Sequence, residues 1–167
     1  MKKYTLILWL CAWSALSSCR GKSVEAQIRD RVDEIASFAE ARSADGILKA
    51  LTEDYRDGED RGKAETGEVL AEYFGRYRGI VIHVLATRFL ELQATAATIQ
   101  TDVSLSSGAA EIFRKAVPFS GEYYRFTCHL EKDGQEWFLQ SAEWEYLSLE
   151  DLFPESMKIL RKIFPDL

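Results

Sequence analysis

From Val24 onward the apolar residues recur at helical spacing: Val24, Ile28, Val32, Ile35 and Ala39 share one side, and Arg29, Asp30, Asp33 and Glu34 take the other. The pattern predicts an amphipathic helix over "VEAQIRDRVDEIASFAEAR". Ser43 is placed to cap a shorter second helix, with Asp45 in its first turn and Ile47, Leu48 and Leu51 facing inward. "EDYRDGEDRG" then interrupts the pattern with acids and turn formers. A third helix is expected over "AETGEVLAEYFGRYR", where Val69, Tyr73 and Tyr77 recur every fourth residue and Leu70 and Phe74 widen the stripe.

The period changes at Gly79. "IVIHVLATRFLEL" and "TAATIQTDVSL" are rich in β-branched and apolar residues, and in the second Ile99, Thr101, Val103 and Leu105 alternate with Thr98, Gln100, Asp102 and Ser104. Both read as long strands. The first carries apolar residues on both parities, Ile80, Ile82 and Val84 against Val81, Leu85 and Phe89, so it is expected to be covered on both faces. After a looser stretch, "SSGAAEIFRKAVPFSG", comes "EYYRFTCHLEKDGQEWFLQSAEWEYL", with Asp133-Gly134 between two strand-like runs. That dipeptide predicts a tight hairpin, because the favoured turns need positive φ. The tail restarts a helix: Pro154 suits its first turn, and Phe153, Met157, Leu160 and Phe164 line up opposite Lys158, Arg161 and Lys162.

The segment before these elements has a different character. Lys2 and Lys3 precede the apolar run "YTLILWLCAWSAL", and Ser17, Ser18 and Cys19 follow, in the order of an export signal. The run is shorter than the roughly 20 residues a spanning helix needs. "LSSC", Leu16 to Cys19, resembles the lipobox of bacterial lipoproteins. The resemblance implies cleavage before Cys19 and acylation of its thiol, with residues 1–18 removed, residues 19–23 forming a lipidated N-terminus and short tether, and a bacterial cell-envelope location. Arg20 follows the cysteine where many inner-membrane lipoproteins carry an aspartate, which implies the outer membrane, facing the periplasm.

Charge and cysteine content narrow the partners. The full chain has 21 basic and 27 acidic side chains and a formal charge of -6; loss of Lys2 and Lys3 leaves 19 basic groups and a charge of -8. Nucleic acid is not an expected partner, since its binding relies on a basic face. An acidic protein also gains nothing from anionic headgroups, so the lipid must do the anchoring. Of the three cysteines, Cys11 leaves with the signal, Cys19 is acylated and Cys128 remains alone, so the core and not a disulfide must hold the domain together. About 149 residues suffice for one domain.

The order helix, helix, acidic "DYRD", helix, then long strands ending in "DGQEWFLQSAEW" resembles the NTF2-like superfamily, also called SnoaL-like or the cystatin-related cone, over about Val24 to Tyr146. The implied fold is α+β, with N-terminal helices packed in a strongly curved, mostly antiparallel sheet. The expected domain covers 24–147, followed by a C-terminal helical extension over 148–167. A pocket is implied at the open end of the cone, and a homodimer through the outer sheet face. Helices followed by runs of strands give the same α+β class on physical grounds.

Fold does not give function. Catalytic members of the superfamily place an aspartate, paired with a histidine or helped by a first-helix tyrosine, in an apolar pocket where it can move a proton. On that resemblance Asp54 or Asp57 stands where the aspartate comes, and His83 and Asp102 could point in from strands. The first helix here has no tyrosine, and the plain reading of "DYRDGEDRG" is a solvated acidic turn. Neither metal nor cofactor is expected: His83 and His129 are far apart, and no calcium, zinc or phosphate-loop spacing occurs. Tyr123, Tyr124, Phe126, Trp137, Phe138 and Trp144 are core formers that could also line a cavity. Phe126, Cys128, Trp137, Leu139 and Tyr73 are the candidate pocket residues. Three functions stay open: a non-catalytic lipoprotein binding a small apolar ligand or an envelope partner protein, a cofactor-free isomerase or cyclase using a cavity aspartate, and a structural or assembly module of the envelope.

Overall fold

The computed structural model describes residues 21–108, 121–152 and 154. Cys19, the signal segment, and Phe153, Met157, Leu160 and Phe164 of the expected tail helix lie outside the described residues. Helix α1 spans Val24–Glu40, and the Ser23 hydroxyl caps it by accepting the Ala26 N–H at 3.2 Å. It stops two residues before the sequence pattern does. Arg42 takes φ 54°, its N–H donates to the Ala39 carbonyl and that of Ser43 to the Phe38 carbonyl, which is a Schellman closure without glycine. Helix α2, Ala44–Lys49, is capped by Ser43 as expected, and α3 spans Lys63–Arg76. Among these residues no helix is long and apolar enough to cross a membrane.

Five strands form one sheet in the order β1-β5-β4-β3-β2: β1 Leu51–Asp57, β2 Val81–Leu92, β3 Ala96–Ser106, β4 Glu122–Asp133 and β5 Glu136–Leu147. Only β1 with β5 is parallel. A short helix, α4, follows at Leu149–Leu152. The β4–β5 hairpin forms where the sequence places it, shifted by one residue. Asp133 pairs with Glu136, so the two loop residues are Gly134 and Gln135, and only Gly134 has positive φ, at 59°. That is the glycine-first pattern of a II′ turn.

Strand β1 was not expected. "EDYRD" contains acids, yet Leu51, Tyr55 and Asp57 are buried while Glu53 and Asp54 face water. The free edge of β5 recruits it: the Leu139 N–H donates to Ala50 and the Gly58 N–H to Ala142. An edge strand tolerates outward charge. The turn itself is confined to residues 58–62.

The double parity of β2 also has a different cause from burial on two faces. β2 is an edge strand, with Leu90 53% and Leu92 39% exposed. Its register against β3 shifts between Val84 and Ala86 and again between Phe89 and Glu91. Each bulge inserts one residue, Leu85 and then Leu90, and so moves the inward positions to the other parity. The inward set is Ile82, Val84, Thr87, Phe89 and Leu92, opposite Leu105, Val103, Thr101, Ile99 and Ala97.

The helices pack on this face. Ile28 of α1 is fully buried among Leu51, Tyr55, Ala97, Ile99, Leu130, Trp137, Leu139 and Ala142. Ile47 of α2, Phe74 of α3 and Ile80 make a second cluster with Phe38, Leu70, Tyr73, Tyr77 and Ile82 around it. Period-two alternation then assigns Tyr124, Phe126 and Cys128 of β4, and Trp144 and Tyr146 of β5, to the helix face.

Candidate functional site

The site grows from the end of β1. Asp57 is buried, and its carboxylate closes the following turn: Oδ1 accepts the N–H of Glu59 and of Arg61, both at 2.9 Å, and Oδ2 accepts Arg61 Nε at 2.7 Å. Burial pushes this carboxyl up. The Arg61 side-chain bond, the two backbone N–H groups and the guanidinium charge outweigh it and hold the group below the usual carboxylate range. Arg61 also pairs with Glu59 at 2.8 Å, and its Cζ lies 5.6 Å from the Trp144 ring centroid. Tyr55, two residues before Asp57, is in the core. Burial raises its phenol first, and the nearby Asp57 and Cys128 add to the rise.

Beyond Trp144 an aromatic wall lines the end of the cone away from the β4–β5 turn. Phe126 is the register partner of Trp144, with centroids 6.3 Å apart; Tyr124 is the partner of Tyr146, edge-on at 5.9 Å; and Tyr124 and Phe126 lie 6.4 Å apart. Trp144 is 38% and Tyr146 66% exposed. Tyr73 of α3 packs at a tilt against Tyr77, centroids 4.4 Å apart, and lies near enough to Tyr124 and Glu122 to interact with them electrostatically. The Tyr124 hydroxyl donates to Glu122 at 2.8 Å. Burial, that bond and the charge of Glu122 together raise the Tyr124 phenol to about 12.

The structure separates the other candidates. Asp54 is exposed on β1. Asp102 is buried at 3% exposure, but by strand alternation it lies on the sheet face away from the helices. There Arg125 holds it through Nε at 2.8 Å and Nη2 at 3.2 Å, and Arg88 through Nη2 at 2.6 Å. His83 pairs with Ser104 across β2 and β3, and lines an open groove of about 380 Å³ with Asp33, Ser37 and Glu40 of α1. Phe126, Cys128, Trp137 and Leu139 all share the helix face, which settles their parity. Trp137 and Leu139 are core, whereas Phe126 and Tyr73 reach the open wall. Burial raises the Cys128 thiol to about 12. Among the described residues no group of three His, Cys, Asp or Glu side chains converges to hold a metal ion.

The sequence offers Arg56, Arg61 and Lys63 as balance for the acids of the turn, but it specifies neither of the two partnerships. Arg61 closes on Asp57 only because the turn brings residues four apart together, and Arg88 and Arg125 meet Asp102 only through strand register. The approach of Trp144 to Phe126 depends on the β4–β5 register shift between His129 and Leu130.

No family model matches the chain, and no curated protein matches it. Solved structures do resemble it. A putative scytalone dehydratase from Novosphingobium aromaticivorans superposes with a TM-score of 0.62 at 13% identity, covering 74% of this chain and 84% of its own. LinA gives 0.59 at 13% identity over 74% and 86%. An NTF2-like protein of unknown function from Pseudomonas putida gives 0.58 at 18% identity over 75% and 89%. At these identities the likeness carries the architecture alone: the chain has the NTF2-like fold, helices held in a curved, mainly antiparallel sheet.

Proposed function

We propose that this chain is a lipid-anchored protein of the bacterial cell envelope, in the outer membrane facing the periplasm, whose cone binds a small apolar ligand with a planar ring and catalyses nothing. The observation that carries the binding reading is the open wall of Tyr73, Tyr124, Phe126 and Trp144 beside an aspartate that is already fully engaged. A ring packing there gains aromatic contacts beside the Arg61 guanidinium, which already lies over Trp144. Lys2, Lys3, the apolar run and "LSSC" support the anchor.

Two neighbours in fold are named as a putative dehydratase and as LinA, so a cofactor-free enzyme is the alternative. A general base needs a carboxylate free to take a proton at working pH. Asp57 is committed to Arg61 and two backbone donors, Asp102 lies between two arginines on the other sheet face, and Asp54 is in water. These placements favour binding over turnover.

The test is a thermal-shift and calorimetric screen of small planar hydrophobic compounds. A true ligand at a hundredfold excess over Kd stabilises by about 2.7 kcal/mol, a rise in Tm of about 5 °C or more for a domain of this size. Trp144→Ala should abolish the rise. If no compound raises Tm, the ligand-binding reading falls. A bound compound that is turned over, with turnover lost in Asp57→Asn, would install the enzyme reading instead.

A further inference from the structure

We infer that the β2–β3 and β4–β5 turn end of the domain rests on the bilayer and the aromatic wall faces away from it, so that the occupant of the cone arrives from the aqueous compartment. The inference rests on the acylation of Cys19 proposed above. Lys22 lies three residues after Cys19, at most about 11 Å of extended chain. The chain is fastened at that point. Gln27 Nε2 donates to the Lys22 carbonyl at 2.8 Å, while Gln27 Oε1 accepts Lys132 Nζ at 3.0 Å and Trp137 Nε1 at 3.3 Å. Both Lys132 and Trp137 adjoin the β4–β5 turn.

The β2–β3 turn lies at the same end, since Ala96 pairs with Glu131 and the Lys132 N–H donates to the Thr95 carbonyl at 2.9 Å. Leu90, bulged out of the β2 register, and Leu92, the last residue of the inward row where it runs past the helices, sit on the β2 arm of that turn and are 53% and 39% exposed. A lipid surface is the occupant that suits them, because the tether holds that end within one short segment of the acyl chains. Glu91, Glu131, Asp133 and Glu136 fringe the same end. These four acids outnumber Lys22 and Lys132 at that end, so the net charge there gives no headgroup attraction and the contact rests on the tether and the leucines; added salt should not weaken it. Trp144 lies seven residues along β5 from Trp137, about 20 Å further from the turn.

Trp9 and Trp13 leave with the signal, so the mature chain carries only Trp137 and Trp144, one near each end. The test uses the full chain, expressed and processed in bacteria, then placed in vesicles whose acyl chains are brominated at depth. Trp144→Phe leaves Trp137 as the reporter, and the difference between wild type and that variant reports Trp144. This avoids disturbing the buried Trp137. The expected result is a measurable fall in Trp137 emission relative to unbrominated vesicles, partial because the indole is buried, unchanged emission from Trp144, and no effect of salt. The mass of the N-terminal peptide is read on the same preparation. An acylated chain in which Trp144 is quenched, or Trp137 is not, overturns the orientation and leaves the anchor standing; an unacylated chain overturns both.

Discussion

Asp57 closes the turn that sets Arg61 over Trp144, and two substitutions separate its roles. Asp57→Ala removes three hydrogen bonds, to Glu59 N–H, Arg61 N–H and Arg61 Nε, and leaves those part-buried donors without their acceptor. Hydrogen bonds to a charged group contribute about 1.5–3 kcal/mol each but do not add fully, so the loss should be about 3–4 kcal/mol. Asp57→Asn keeps an oxygen for the two backbone donors and gives up only the charge-assisted Arg61 bond, at about 1–2 kcal/mol. Urea unfolding followed by circular dichroism reads both. With a slope of about 2 kcal/mol/M, the midpoint should fall by about 1.5–2 M for alanine and by less than 1 M for asparagine. The pH profile gives an independent check. The folded-state pKa lies below the unfolded value of about 3.9, so the contribution is complete above that value and is lost as pH falls through the lowered folded pKa. Wild type should therefore lose its advantage over Asp57→Asn on acidification below about pH 4. Equal losses for the two variants, or an advantage that survives to low pH, would refute this account of the turn.

Other outcomes follow from the same structure. Ile28→Ala, at the centre of the larger core, should cost about 2–5 kcal/mol in urea unfolding, and a cost under 1 kcal/mol would mean that α1 does not pack on β3 through this residue. The Cys128 thiol, half-buried and raised to about 12 by its apolar surroundings, should alkylate about a thousandfold more slowly than an ordinary thiol at pH 8, with normal rates restored in denaturant; rapid labelling of the folded domain would contradict that rise. Gly134→Val should destabilise by about 1–2 kcal/mol and Gly134→Asn by less, because nothing lies within 4 Å of an added Cβ and only the positive φ resists it. Equal costs for the two would place the penalty in packing.

Local pattern determined a good part of this molecule. The stripe from Val24 to Ala39 is α1, Ser43 caps α2, and the expected third helix is α3, although its packed side is Leu70, Tyr73, Phe74 and Tyr77 while Val69 of the expected stripe is exposed; glycine at the turn makes the β4–β5 hairpin, because side-chain period and turn chemistry are properties of neighbouring residues. Tertiary structure decided the rest. "EDYRD" is a strand only because β5 offers it an edge, and the apolar residues on both parities of β2 reflect two bulges that no local pattern separates from two-sided burial. The candidate site was half legible: Phe126, Tyr73 and Asp57 could be named, but not that Arg61 closes on Asp57 or that Asp102 turns to the far face between Arg88 and Arg125. Those partners come from strands and turns distant in sequence, and a one-residue change of register would send each side chain to the opposite face.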